Sequence, residues 1–142
     1  MFNFSKRLPL DEYALVVDRV PILCVDAIIV HKGQFLLVKR RNEPLKGEWW
    51  VPGGRVFKGE TMEMALKRKV KEELGIEVRS IKAVGYYEEH FEASEIPSRT
   101  GIHTMSVVFI CSPRSLEIRL DNQSSDYTFS ENLPTRFVVK PF

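Results

Sequence analysis

Cysteine is scarce in this chain of 142 residues: Cys24 and Cys111 are all there is, each inside an apolar run. Two such thiols read as reduced core residues, too few for a disulfide framework or a zinc site. Long hydrophobic runs are lacking as well. No stretch reaches the roughly 18 apolar residues of a membrane-spanning helix, so no membrane partner is expected. Nor does one sign of charge dominate. Lys and Arg number 21 against 19 Asp and Glu, for a net charge of +2, whereas a dedicated nucleic-acid binder carries a strong basic surplus. Lys39-Arg40-Arg41 and Trp49-Trp50 are too local a patch to change that, so no nucleic-acid partner is expected. The opening residues lack the basic-then-apolar order and cleavage site of a signal peptide, which points to a cytoplasmic protein. Linkers, repeats and low-complexity segments are absent too, so residues 1–142 are expected to form a single domain.

What is present is an ordinary folded composition, with 44% apolar and 28% charged residues, and a pattern that mixes strands with one strong helix. Tyr13, Val16 and Val17 suit a short amphipathic helix over 11–19 with Asp11 as its cap. Residues 21–30 are β-branched and nearly all apolar, the mark of a buried strand. Lys32-Gly33 turns that strand into a second one over 34–39. Asn42-Glu43-Pro44 to Lys46-Gly47 reads as a loop before Trp49-Trp50-Val51, and Pro52-Gly53-Gly54 should stop regular structure. In 60–74, Met62, Leu66, Val70 and Leu74 recur every four residues; Glu60 and Thr61 suit its start and Gly75 its C-terminal cap. Residues 77–87, 104–111 and 116–120 read as strands. The polar stretch 88–101 reads as a long loop, of a length that is often functional.

The most informative stretch is Gly54–Ile76, a glycine turn feeding that helix. Gly53-Gly54 lets a ligand approach the backbone. Glu72 and Glu73 are hard oxygen ligands of the kind magnesium prefers. Taken alone, Arg68–Glu72 and Lys69–Glu73 could equally be i,i+4 pairs on a solvated face.

The spacing decides. The segment closely resembles the Nudix box, G-x5-E-x7-R-E-U-x-E-E-x-G-U with U aliphatic. Gly54, Glu60, Arg68, Val70, Glu72, Glu73, Gly75 and Ile76 fill eight of its nine specified positions. The resemblance implies an α/β (α+β) Nudix fold, a mixed β-sheet sandwich packed against helices. It also implies hydrolysis of a nucleoside diphosphate linked to another group. The position that departs is Lys69, where the family carries a glutamate. Exchanging a carboxylate for an ammonium shifts the local charge by two units and disfavours a cluster of metal ions. One ion, Mg2+ or Mn2+, remains reasonable.

Residues 20–26, 39–42 and 49–56 are similar to the GDP-mannose mannosyl hydrolases, a branch that also lacks this glutamate and attacks the anomeric carbon of the sugar. By that resemblance a single metal is held by the carbonyl of Gly53, by Glu73 and by Gln123, with Glu72 beside them. Arg40 and Arg55 neutralise the departing diphosphate, and Asp26 belongs to the site. Asp26 lies in an apolar strand, where an unpaired carboxylate is expensive, so it must have a partner or face a cleft.

In two places the similarity fails. The branch places a general-base histidine directly after the metal-binding glutamine, and here that residue is Ser124. Asp126 is the nearest substitute; His90 and His103 are the others, and His103 corresponds loosely to a histidine near the phosphates. His31 is expected in solvent beside its turn. The second departure is the tail, 129–142, too short and proline-bearing for the family's second main helix; a homodimer partner is expected to cover exposed core. Phe2, Phe4, Tyr13, Tyr86 and Tyr87 could sandwich a purine. Three functions stay open: a nucleotide-sugar hydrolase acting at carbon, a Nudix pyrophosphohydrolase, and a nucleotide-binding protein with little turnover.

Overall fold

In the computed structural model, residues 7–42, 45–92 and 99–142 are described. Phe2, Phe4, Glu43-Pro44 and residues 93–98 of the long polar loop lie outside them. Helix α1 (Leu10–Arg19) leads into β1 (Ile22–His31), which turns at Lys32-Gly33 into β2 (Gln34–Arg40). Two short strands follow, β3 (Trp49–Trp50) and β4 (Gly53–Arg55), and then α2 (Met62–Leu74). The chain continues through β5 (Val78–Phe91), β6 (Ile102–Pro113), β7 (Ser124–Ser130) and β8 (Lys140–Pro141). The eight strands form one mixed sheet, ordered β3-β2-β1-β6-β5-β8, with β4 added to β1 and β7 to β2. The expected α+β class and mixed sheet are what the chain adopts.

Strand β1 is the centre of this arrangement. On one side it runs parallel to β6 from Ile22↔Thr104 to Ile29↔Cys111. On the other it pairs with β2 only at Val30↔Phe35 and His31↔Gln34, while Cys24, Val25 and Asp26 pair with Arg55, Gly54 and Gly53 of β4. Beyond the hairpin, β1 and β2 therefore diverge, and β4 fills part of the wedge between them. The two faces of β1 have different neighbours, as strand alternation requires. Val25, Ala27 and Ile29 pack with Leu66, Val70 and Leu74 of α2 in the main core, together with Val107 and Phe109. Ile28 joins Trp50, Tyr87, Val108 and Phe137 in a second core.

Helix α2 forms as its sequence predicts. Thr61 occupies the N-cap, its hydroxyl accepting from the N–H of Met64 at 3.1 Å. Gly75 closes the other end in the left-handed region with φ of 70°. In α1, Pro9 rather than Asp11 takes the cap position, and Asp11 lies in the first turn.

Four expectations need correction. Gly53–Arg55 is a strand rather than a stop, because its backbone completes the edge of β1. Both strands around the polar loop run further than predicted, to Phe91 and from Ile102, since each continues the other's ladder. Residues 116–120 are not a strand. The N–H of Arg119 is used instead to bond the Leu74 carbonyl at 2.8 Å, and that of Asp121 bonds the Glu73 carbonyl at 3.3 Å. The segment thus satisfies the open end of α2, with Ile118 and Leu120 packed on the main core. The strand that does form there is β7, along β2. Finally, His31 is half-buried, its ring 6.0 Å from that of Phe129. Among the described residues no helix follows α2.

Candidate functional site

A cavity of about 600 Å³ opens in the wedge between β1 and β2. Alternation along two neighbouring strands lines its floor: Ile22, Cys24 and Asp26 from β1, Ile102, Thr104 and Ser106 from β6. Arg40 enters from the end of β2, Gly53, Gly54 and Arg55 from β4, and Asn122 and Gln123 from the segment before β7. Arg68 and Lys69 of α2 complete one wall, and Tyr13, Trp50, Phe57 and Tyr87 supply aromatic surface.

Asp26 is 5% exposed and sits at the bottom of the cavity. It has both a partner and a cleft: the Tyr87 hydroxyl donates to Asp26 Oδ2, and Ser106 also bonds it. Burial nonetheless pushes its carboxyl up to about 7, against these bonds and the charge of Arg40. Beside it, Gly53 is required to be glycine. A Cβ there would fall 2.4 Å from the Val25 carbonyl oxygen and into the Asp26 carboxylate.

Glu73 is likewise buried, 4% exposed, and accepts the N–H of Gly53 at 3.1 Å. Burial raises it to about 7; Lys69 pulls it back, while Asp121 pushes it further up. The Lys69 ammonium lies 3.8 Å from Glu73 Oε1 and 3.5 Å from Glu72 Oε2. Glu72 is half-exposed and also meets Arg68 at 3.3 Å and Arg7 at 3.5 Å.

The first half of the motif shapes the loop before α2. Glu60 Oε2 receives Arg68 Nε at 2.8 Å, and its Oε1 receives Arg68 Nη2 at 2.9 Å and the Phe57 N–H at 2.8 Å. Arg68 Nη2 also donates to the Arg55 carbonyl at 2.9 Å. The Arg68 hydrogen bonds hold the Glu60 carboxyl below the usual carboxylate range. This lattice aims Arg55, whose guanidinium lies 4.5 Å over the Tyr13 ring and 4.9 Å over that of Phe57.

Of the residues named from sequence, Asp26, Arg40, Gly53, Arg55 and Gln123 line the cavity, and Glu73 is anchored to one of its walls. Three others lie elsewhere. Asp126 is exposed on β7 opposite Lys39, its Oδ1 accepting from the N–H of Tyr127. Strand pairing turns it away from the cavity, so it does not occupy the place of a base there. His103 stacks on His90 with ring centroids 4.1 Å apart and approaches Glu88 Oε2 at 3.4 Å, outside the lining. Glu72 lies beside the cavity cations rather than among the lining residues. Of the aromatic candidates, Tyr86 stacks on Phe142 instead. Sequence reading missed Ser106 and Thr104 as part of the floor. Polar residues at alternate positions of an otherwise apolar strand were the available signal.

Among the described residues no three His, Cys, Asp or Glu side chains gather as a metal site. The Lys69 ammonium lies between Glu72 and Glu73, where several cations would otherwise have to share space. A single ion is a different matter. Gly53 and Gln123 line the cavity and Glu73 is hydrogen-bonded to the Gly53 N–H; oxygen donors of this kind suit one Mg2+ or Mn2+.

The NUDIX domain family matches residues 20–133. The low-salt glycan biosynthesis protein Agl8 of Haloferax volcanii is 39% identical over 121 residues, 85% of this chain and 78% of that protein. An ADP-ribose pyrophosphatase of Methanocaldococcus jannaschii is 34% identical over 132 residues, 91% of this chain and 73% of that one. Among solved structures, a MutT NUDIX hydrolase from Burkholderia pseudomallei superposes with a TM-score of 0.70 at 26% identity, covering 83% of this chain and 93% of that one. With the box built as its sequence requires and the match running across most of the chain, the protein belongs to the Nudix hydrolase family.

Proposed function

We propose that this Nudix hydrolase cleaves nucleoside diphosphate sugars of the GDP-mannose or GDP-glucose type, releasing the nucleoside diphosphate and free sugar by attack at the anomeric carbon. The observation that carries this reading is the Lys69 ammonium between Glu72 and Glu73. It opposes a metal cluster around an attacked phosphorus but leaves room for a reaction whose diphosphate is the leaving group. The similarity to a protein of glycan biosynthesis agrees with an activated sugar as substrate.

Arg40 and Arg55 bind the diphosphate and stabilise the charge that grows on it as the glycosyl–oxygen bond breaks. Gly53, Gln123 and Glu73 would hold one Mg2+ or Mn2+, which when bound supplies a Lewis-acid contact for the diphosphate. Water attacks the anomeric carbon, and the leaving diphosphate keeps the bond's electron pair. With Ser124 buried and Asp126 turned outward, Asp26 is the cavity carboxylate that takes the water's proton, held in place by Tyr87 and Ser106. The protein is expected to act in the cytoplasm as a homodimer.

Hydrolysis of GDP-mannose and GDP-glucose in 18O-labelled water tests this. Label on the sugar supports attack at carbon; label on a phosphate product sinks it. The second outcome would favour the other reading, a pyrophosphohydrolase, to which the 34% identity with an ADP-ribose pyrophosphatase points.

A further inference from the structure

Lys69 differs from the other lysines of α2. Lys67 is 55% exposed on the outer face with Glu63 for company, but the Lys69 side chain is only 7% exposed and forms part of the cavity wall. A solvated helix face does not bury an ammonium; this one is buried in the cavity wall, with Glu72 and Glu73 as its counter-ions. Its stem runs across Gly54, where a Cβ would lie 2.5 Å from Lys69 Cε and 2.9 Å from Cδ. The glycine beside the cavity therefore leaves the channel through which the lysine reaches it.

The ammonium donates to Glu72 Oε2 and pairs with Glu73 Oε1, but at long range. Its distances of 3.5 Å and 3.8 Å exceed the roughly 2.7–2.9 Å of a tight charge-assisted bond. Arg68 next to it is different, with its guanidinium engaged by Glu60, Glu72 and the Arg55 carbonyl. An ammonium carries three N–H donors, so Lys69 can keep a loose hold on Glu72 and Glu73 and still offer one to an anion. Arg40 and Arg55 supply guanidinium groups to the same cavity.

We propose that Lys69 is a ligand-contacting cation that donates to a phosphate oxygen of the bound diphosphate and gives the protein affinity for nucleoside diphosphates in the absence of any metal. This deepens the reading above and rests on its diphosphate, not on attack at carbon. The lysine takes over charge that an additional metal ion would otherwise bring to the diphosphate.

The test is calorimetric titration of the full chain with GDP and with inorganic pyrophosphate, in buffer containing EDTA. Wild type binds both. Lys69→Met weakens both by about tenfold or more, the scale of one hydrogen bond to a charged group, and Lys69→Arg keeps most of the affinity. Because Lys69→Met strands Glu73 in the interior, the double variant Lys69→Met/Glu73→Gln is measured beside it and shows the same loss in EDTA. Wild type that binds neither probe without metal overturns the proposal. So does a loss below about threefold in whichever of the two variants is folded, which would make Lys69 a counter-ion only. Labelled-water products decide the reaction separately. Label on phosphate together with Lys69-dependent binding in EDTA would remove attack at carbon and leave this proposal standing.

Discussion

Arg68 and Lys69 are neighbours on one helix and both meet carboxylates of the same motif, yet they do so in opposite ways. Arg68 grips Glu60 with two bonds of 2.8 and 2.9 Å and adds the Arg55 carbonyl at 2.9 Å. Its planar fork fits a carboxylate edge-on, so the pair is rigid and sets the shape of the loop. Lys69 floats between Glu72 and Glu73 at 3.5 and 3.8 Å, a point charge on a long stem. The first arrangement builds the site; the second leaves it able to respond to a ligand. A position that fixes the shape of the loop and one that departs from the family's motif thus differ by a single step along α2.

Breaking the rigid half should have the largest effect. Arg68→Met strands Glu60, 7% exposed at its side chain, and unties the loop that aims Arg55. Stability should fall by about 2–3 kcal/mol, seen as a lower urea midpoint at unchanged slope, with hydrolysis falling alongside.

The responsive half should show itself in pH. Asp26 and Glu73 are each raised to about 7 by burial. Between the ordinary carboxylate range and that value the native state holds protons the unfolded chain has released, so stability falls as pH rises. Wild type should therefore be more stable near pH 5 than near pH 8 in denaturant titrations. Asp26→Asn and Glu73→Gln should each flatten that slope while lowering turnover about a hundredfold. An unchanged slope in both variants would contradict the burial of these groups as the cause.

The smallest effect belongs to Glu72, whose side chain is 35% exposed and shared among three cations. Glu72→Gln should cost less than about 1 kcal/mol of stability, measured by the same titrations. A larger loss would make the two halves of the comparison more alike than their geometry says.

Local chemistry was easy to read from the chain. The four-residue recurrence of Met62, Leu66, Val70 and Leu74, the Thr61 cap and Gly75 define α2, and Lys32-Gly33 defines the hairpin, because each depends on residues close in sequence. The motif and its flanks singled out Arg55, Gly53 and Glu73, which the structure gathers around one cavity. What depended on distant partners was harder. Ile118 and Leu120 carry a strand's composition, but their backbone serves the end of α2. The strand itself falls on SSDYTFS, polar at most positions, since β2 provides its pairing. For the same reason Asp126 looked close to the chemistry along the chain and is turned away from it in space. Ser106 and Tyr87 converge on Asp26 only through the parallel register of β1 and β6 and the antiparallel register of β6 and β5.

That register has an evolutionary consequence. Val25, Ala27 and Ile29 face α2, while Cys24 and Asp26 face the cavity. A slip of β1 by a single residue would drive the Asp26 carboxylate into the aliphatic layer against α2 and swing Val25 into the cavity. The same slip would break the ladders to β4, β2 and β6 at once. A lineage can therefore exchange residues of the cavity wall one at a time, but an insertion within β1 would erase site and fold together. Diversity in such proteins should accumulate by substitution around this strand, and length changes should be confined to the loops beyond its ends.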